Sequence, residues 1–273
     1  MARRICILGA GNMGRALIGG LLRSGMRPEQ LSAGESLPAA REALAREFAV
    51  TATADNRAAI DGAAVVVLAV KPQEAAAALG ALAGPLARTQ PLVISIVAGV
   101  RIATLESACG PGVPLVRAMP NRPALIGAGI TGLYAPPSVA AVQRADAAQV
   151  LSAVGEVVWV PDEAALDVVT ALSGSGPAYF FLLAELMAEA GRQLGLEGAA
   201  AQRLAAVTLR GSGLLVQSGD ADLAQLRAEV TSPGGTTEAA LQALAAAGLG
   251  SAVAQALAAA TQRSRELASA AAS

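Results

Sequence analysis

Ile5, Cys6, Ile7 and Leu8 form an unbroken apolar run, whereas Met13, Leu17, Ile18, Leu21 and Leu22 recur at spacings of three and four. The first pattern suits a parallel strand buried on both faces and the second an amphipathic helix. The period changes at Gly9, Gly11 and Gly14, which therefore lie on a strand-to-helix turn. Further apolar runs in "LSAG", "AVVVLAV", "PLVISIV" and "VPLVRAM" alternate with Ala/Leu-rich helical stretches, among them 37–48, 73–87 and 101–108. Two more strands, "GAGITGLY" and "EVVWV", flank the helical "VAAVQRADAAQVLSAVG". This rhythm predicts an α/β domain over 1–160, a doubly wound sheet. After Pro161 the strands stop. "DEAALDVVTALSG", "GPAYFFLLAELMAEAGRQLGL", "AAAQRLAAVTLRGSGLLVQSG", "ADLAQLRAEV" and a last pair beyond "SPGG" all read as helices, predicting an all-α domain over 161–273.

The turn from Gly9 to Gly14, with Ala10, Asn12 and Met13 between the glycines, has the placement a dinucleotide-binding fingerprint requires. Gly9 permits the tight turn, Gly11 lets the backbone approach a pyrophosphate, and Gly14 lets helix and strand pack closely. The other reading is a glycine cluster without a ligand. Three strand ends join it: Ala69, Val70, Lys71 and Pro72 in "AVKP", Ala98 and Gly99 in "SIVAGV", and "RAMPNRPA". Ligands of open α/β sheets lie beyond the carboxyl ends of the strands, so these segments converge on one crevice. Lys71 is either a ligand of that crevice or a solvated surface lysine.

Composition removes several chemistries. A net charge of −1 gives no footprint for nucleic acid. Hydrophobic residues reach 54%, much of it alanine, but no uninterrupted apolar stretch approaches the roughly 18 residues of a spanning helix. "MARRICILGA" imitates a signal peptide until Gly9 ends its apolar run, so the chain reads as soluble and cytoplasmic, without a membrane partner. Cys6 and Cys109 suggest neither a disulfide framework nor a zinc set, and no metal is expected. There is no histidine, and Lys71 is the single lysine. A proton donor must be a carboxylic acid, a hydroxyl, Lys71, a thiol or water.

In the second half "SPGGTTEAAL" makes a helix start whose N–H groups and hydroxyls suit a small carboxylate; a plain capping motif is the alternative. "ALSGSGPAYF" carries the same ambiguity around Gly174, Ser175 and Gly176. The helix that follows bears Tyr179, Phe180, Phe181, Leu182, Leu183, Leu186 and Met187, an apolar surface wider than one stripe. Such a helix is either central to its domain or buried against a second subunit, and a dimer is favoured.

Taken in order, "GAGNMG", "AVKP", "VAGV", "RAMPN.PA", "LSGSGPAY" and "SPGGTT" resemble the motifs of the pyrroline-5-carboxylate reductases, almost from end to end. The resemblance implies a Rossmann domain, a homodimer through the C-terminal helices, and often a ring of dimers. It implies NADPH or NADH as hydride donor and a cyclic imino acid as substrate. Carried onto this chain, the substrate carboxylate falls to Gly235, Thr236 and Thr237, with Ser232 and Ser175 beside it. Thr237 and Glu163 become the candidate catalytic groups, Glu163 near the ring nitrogen; a first-turn acid favourable to the helix dipole is its other reading. Asn56 matches a residue near the adenosine ribose. Arg122 stands where the family usually has threonine, Ala228 where aspartate is common, and Glu238 where an apolar residue is common.

Glu35 lies roughly 20 residues after the fingerprint, where an acid bonds the ribose and disfavours a 2′-phosphate. Ser36 and Arg41 follow closely and would hold a 2′-phosphate if Glu35 turned away, so the sequence leaves NADH and NADPH open. A 3-hydroxyacid dehydrogenase would need a lysine in the second domain, which is missing. A silent nucleotide-binding regulator is the third reading.

Overall fold

The computed structural model describes residues 4–219 and 222–270. Its first eleven elements alternate: β1 (Ile5–Leu8), α1 (Asn12–Arg23), β2 (Leu31–Gly34), α2 (Pro38–Phe48), β3 (Thr51–Thr53), α3 (Asn56–Ile60), β4 (Val65–Leu68), α4 (Ala75–Gly80), α5 (Ala83–Thr89), β5 (Leu92–Ser95) and α6 (Ile102–Cys109). β6 (Leu115–Met119), β7 (Gly129–Tyr134), α7 (Ala141–Ser152) and β8 (Gly155–Trp159) complete the sheet. The strand order is β3-β2-β1-β4-β5-β6-β7-β8. All neighbours are parallel except β6 and β7, which the short 3₁₀ turn at Arg122–Ile126 reverses. This is the doubly wound sheet the alternation predicts.

Side chains along each central strand go to opposite faces, and both faces are covered. Ile5 and Ile7 of β1, with Val65 and Val67 of β4, join one core; Cys6, Leu8, Val66 and Leu68 join the other. Two cores flanking one sheet explain why these runs are apolar without alternation.

Two local expectations are corrected. β3 and α3 escaped the hydrophobic pattern because β3 is a three-residue, half-exposed edge strand reading Thr-Ala-Thr. The stretch 73–87 is not one helix: a 3₁₀ turn, α4 and α5 replace it. Pro85 is the reason. Its ring would clash with the carbonyl four residues back and it offers no N–H, so it fits only in a first helical turn. The break at Ala81 and Leu82 lets Leu79, Leu82 and Leu86 all reach the core.

Downstream come α8 (Ala165–Val169), a π-helical turn at Thr170–Gly174, α9 (Gly176–Gln193), α10 (Gly198–Gln217), α11 (Leu223–Glu229), α12 (Thr236–Ala246) and α13 (Leu249–Ala270). The described residues form two compact units, 175–259 and the rest, whereas the sequence predicts a single cut after residue 160. Packing on the sheet holds 161–174 and the end of α13 in the first unit. Leu166 is fully buried, a Cβ on Gly132 of β7 would strike Val169, and Ala268 lies 3.7 Å from where a Cβ on Gly99 would stand. A helix continuous over Ala165–Gln193 is long and apolar enough to cross a membrane by length and composition. The sequence shows no uninterrupted apolar stretch of that length, because the π turn joins two helical segments that the motif "SGSG" separates.

The second unit has almost no interior. Within 175–259 the buried apolar side chains among the described residues are Ala201 and Ala205 alone, while Phe180 is 58% and Phe181 59% exposed. Helices with that much uncovered apolar surface need a further partner.

Candidate active site

Beyond the carboxyl ends of β1, β2, β4 and β5 the loops come together on one edge of the sheet. Gly9 has φ +99°, a conformation that favours glycine. A Cβ there would also stand 2.6 Å from the Ala69 carbonyl, so the turn after β1 and the "AVKP" segment after β4 are in backbone contact. Gly14 is buried and a Cβ on it would lie 2.1 Å from the Gly9 carbonyl, which is how α1 begins directly against the turn. Gly11 is different: nothing stands within 4 Å of its Cβ position. No protein atom requires a glycine there. The open cradle fits a ligand pressed against the backbone, as a pyrophosphate at the start of a helix would be. Asn12 opens α1 exposed beside it, Met13 is half-buried, and Ala10 is buried.

Glu35 follows β2 directly. Its Oε2 accepts from the Ala10 N–H at 2.8 Å and its Oε1 from the Leu37 N–H at 2.9 Å. Ser36 Oγ lies 3.5 Å from the same Oε1, and Arg41 Nη1 donates to the carbonyls of Glu35 and Ser36. Asn56, at the start of α3, sets its Oδ1 2.2 Å from where a Cβ on Gly34 would stand, so Gly34 makes room for it beside the end of β2. Lys71 and Pro72 open the 3₁₀ turn after β4, both exposed, and Ala98 and Gly99 form the turn after β5, Gly99 with φ +75°. Arg122 is exposed at the start of the turn after β6. The structure thus brings the residues expected for the cofactor to neighbouring strand ends.

Behind these loops lies a charged layer that sequence reading passed over. Asp167, fully buried, accepts from Arg101 Nη2 at 2.7 Å and from Ser264 Oγ at 2.8 Å. Glu163 Oε1 accepts from Arg117 Nη1 at 3.0 Å and from the Ile102 N–H at 2.8 Å, capping α6. Burial pulls the Arg117 guanidinium below its ordinary range and the Glu163 charge opposes that shift. Asn121 joins two motifs: Oδ1 accepts from the Ile130 N–H and Nδ2 donates to the Ser173 carbonyl. The signal available was Asp167 itself, one acid inside the apolar pattern "ALDVV", which a buried helix tolerates only when paired.

In the second unit, Gly235 is the N-cap of α12, Gly234 has φ +70°, and Thr236 and Thr237 supply the first helical N–H groups, which have no intrahelical carbonyl to reach. Glu238 accepts from the Gly234 N–H at 2.7 Å, so the acid that departs from the usual apolar residue serves as a cap. Ser232 is exposed and its carbonyl accepts from the Gly235 N–H. Ser175 is the N-cap of α9, directly after the π turn. Turns of that kind accumulate at functional sites. Among the described residues no group of three His, Cys, Asp or Glu is disposed to hold a metal ion.

A strand order that reverses at β1, a glycine turn open at Gly11 and an acid closing β2 define a Rossmann-type dinucleotide-binding oxidoreductase; residues 4–99 match the family model "NADP oxidoreductase coenzyme F420-dependent". Residues 163–267 match the model "Pyrroline-5-carboxylate reductase dimerisation". The pyrroline-5-carboxylate reductase of Pseudomonas aeruginosa is 48% identical over 265 residues, 97% of each chain. The chain belongs to the pyrroline-5-carboxylate reductase family. Among solved structures, the reductase of Coxiella burnetii superposes with a TM-score of 0.94 at 38% identity, covering 98% of this chain and 99% of that one. The Plasmodium falciparum enzyme, with NADP bound, gives 0.81 at 27% identity, covering 97% and 98%. The dimerisation model explains the uncovered helices of the second unit: the chain associates with its own kind through that region.

Proposed function

We propose that this chain reduces 1-pyrroline-5-carboxylate to L-proline with NADPH or NADH, the last step of proline biosynthesis, in the cytoplasm and as a homodimer through the C-terminal helices that builds further into a ring of dimers. Neither nucleic acid nor membrane takes part. The observation that carries the reading is the cradle at Gly11, where glycine is required by no protein contact.

When bound, the nicotinamide supplies a hydride from its C4 to the C=N carbon. The chain's own part is positioning. Gly9 to Gly14 receive the pyrophosphate, Ala69 to Pro72 and Ala98 to Gly99 border the nicotinamide half, and Glu35, Ser36 and Asn56 the adenosine half. The substrate carboxylate lies on the α12 start that Gly235 caps, held by the N–H groups of Thr236 and Thr237, with the Ser232 and Ser175 hydroxyls near it. A cyclic imine takes its proton from solvent before hydride arrives, so no histidine is needed. Thr237 directs its hydroxyl to the ring or its carboxylate. Glu163, already bonded to Arg117, supports the cationic ring nitrogen by its charge.

Steady-state oxidation of NADH and NADPH with DL-pyrroline-5-carboxylate tests this. Turnover is expected with at least one coenzyme, and Thr237→Val should lower kcat/KM for the imine by about ten- to a hundredfold, the cost of one hydrogen bond to a charged group, leaving the coenzyme KM unchanged. Absence of turnover with both would leave the silent regulator as the better reading.

A further inference from the structure

We infer that the Glu35 carboxylate makes this chain an NADH-preferring reductase by occupying the place a 2′-phosphate would need. The inference rests on the reading of the Gly9–Gly14 turn as the dinucleotide site and goes beyond it to the choice between the two coenzymes.

The acid stands at the end of β2, next to β1 on the side away from β4, and is half-buried there. Both of its oxygens have backbone donors, one from the glycine turn at Ala10 and one from the start of the β2–α2 connection at Leu37. Those N–H groups, with the Ser36 hydroxyl 3.5 Å from Oε1, are the donors that an anion at this rim would use. Here the chain's own carboxylate already receives them. Turning Glu35 outward would break the hydrogen bond that crosses between the ends of β1 and β2 at Ala10 and the local one at Leu37, so its orientation is fixed by both.

Arg41, the cation bonded to this connection, does not compensate. Arg41 Nη1 donates to the Glu35 carbonyl at 2.8 Å and to the Ser36 carbonyl at 2.7 Å, which ties that nitrogen to the backbone. Asn56 fills the space over Gly34 with its amide oxygen, another acceptor. The Glu35 carboxylate and the Asn56 amide oxygen are the acceptors that this rim presents. A ribose hydroxyl donates to such a rim, whereas a 2′-phosphate carries no donor at neutral pH and adds charge of the same sign at short range.

The test is direct binding to the full-length protein by isothermal titration calorimetry with NADH, NADPH, and the adenosine fragments 5′-AMP and adenosine 2′,5′-bisphosphate, without imine substrate. We expect NADH to bind at least about tenfold more tightly than NADPH, in the range a charge-assisted contact supports, and 5′-AMP more tightly than the bisphosphate. Glu35→Gln, which keeps an acceptor for the Ala10 N–H but removes the charge, should narrow the NADH:NADPH ratio at least severalfold. Glu35→Ser, which frees the donors, should narrow it further or invert it, with the melting temperature checking that each variant folds. Equal or tighter NADPH binding by the wild type overturns the inference and leaves the reductase reading intact, as do unchanged ratios in both variants. Binding of no coenzyme overturns the dinucleotide site itself.

Discussion

Glu163 shows how a single residue changes meaning between sequence and structure. As a letter at the start of a helical segment it reads equally as a catalytic acid or a dipole-compensating one; in the fold its Oε1 closes the start of α6 and pairs with a buried arginine. Cys6 is a second case, a thiol with no accessible surface in the middle of β1. Desolvation pushes it up to about 11 from an ordinary 9.0, with the Ser32 hydroxyl opposing. Between those two values the unfolded chain releases a proton that the folded chain retains. Stability from this group is therefore complete well below pH 9 and falls as pH rises towards 11, by roughly 3 kcal/mol. Urea titrations at pH 8 and pH 10.5 should show the wild type losing more stability than Cys6→Ala over that interval. Parallel losses would mean that the thiol does not contribute.

Among the elements, the loops after β6 and before α9 depend on each other. Asn121 is buried and divides its amide between the Ile130 N–H of β7 and the Ser173 carbonyl of the π turn. Asn121→Ala would leave two backbone groups without their partner, at about 2 kcal/mol, and would loosen the turn that leads into Ser175. A drop in melting temperature is expected together with a raised KM for the imine. A lowered melting temperature with unaltered kinetics would reduce Asn121 to a purely structural brace. Helix breaks follow a different logic: Pro85 splits the Ala-rich stretch after β4, a local rule that needed only the proline to be weighed against the periodicity.

For the whole molecule the decisive feature is the second unit, whose helices carry apolar residues on most sides and bury almost none. Its stability must come from association, in agreement with the dimerisation family model over 163–267. Phe181→Glu, a charge on a side chain 59% exposed in the single chain, should convert the assembly to smaller species in sedimentation and lower activity, while the far-ultraviolet dichroism of the sheet domain persists. An unaltered assembly would place the interface on another face.

What the sequence determined by itself was everything written in short-range terms. The shift from strand to helical period at Gly9, the βα alternation, the all-helical second half and the order of the motifs need only residues within a turn or two of each other, and the resemblance follows from them. Tertiary structure alone decided where polar side chains end. That Glu35 faces Ala10 rather than solvent, that Asp167 joins Arg101 to Ser264, that Asn121 reaches Ser173, and that the last turns of α13 lie on the sheet near Gly99 all depend on residues far apart in the chain. A buried polar group takes whichever partner packing brings within about 3 Å, and no local pattern encodes that neighbour.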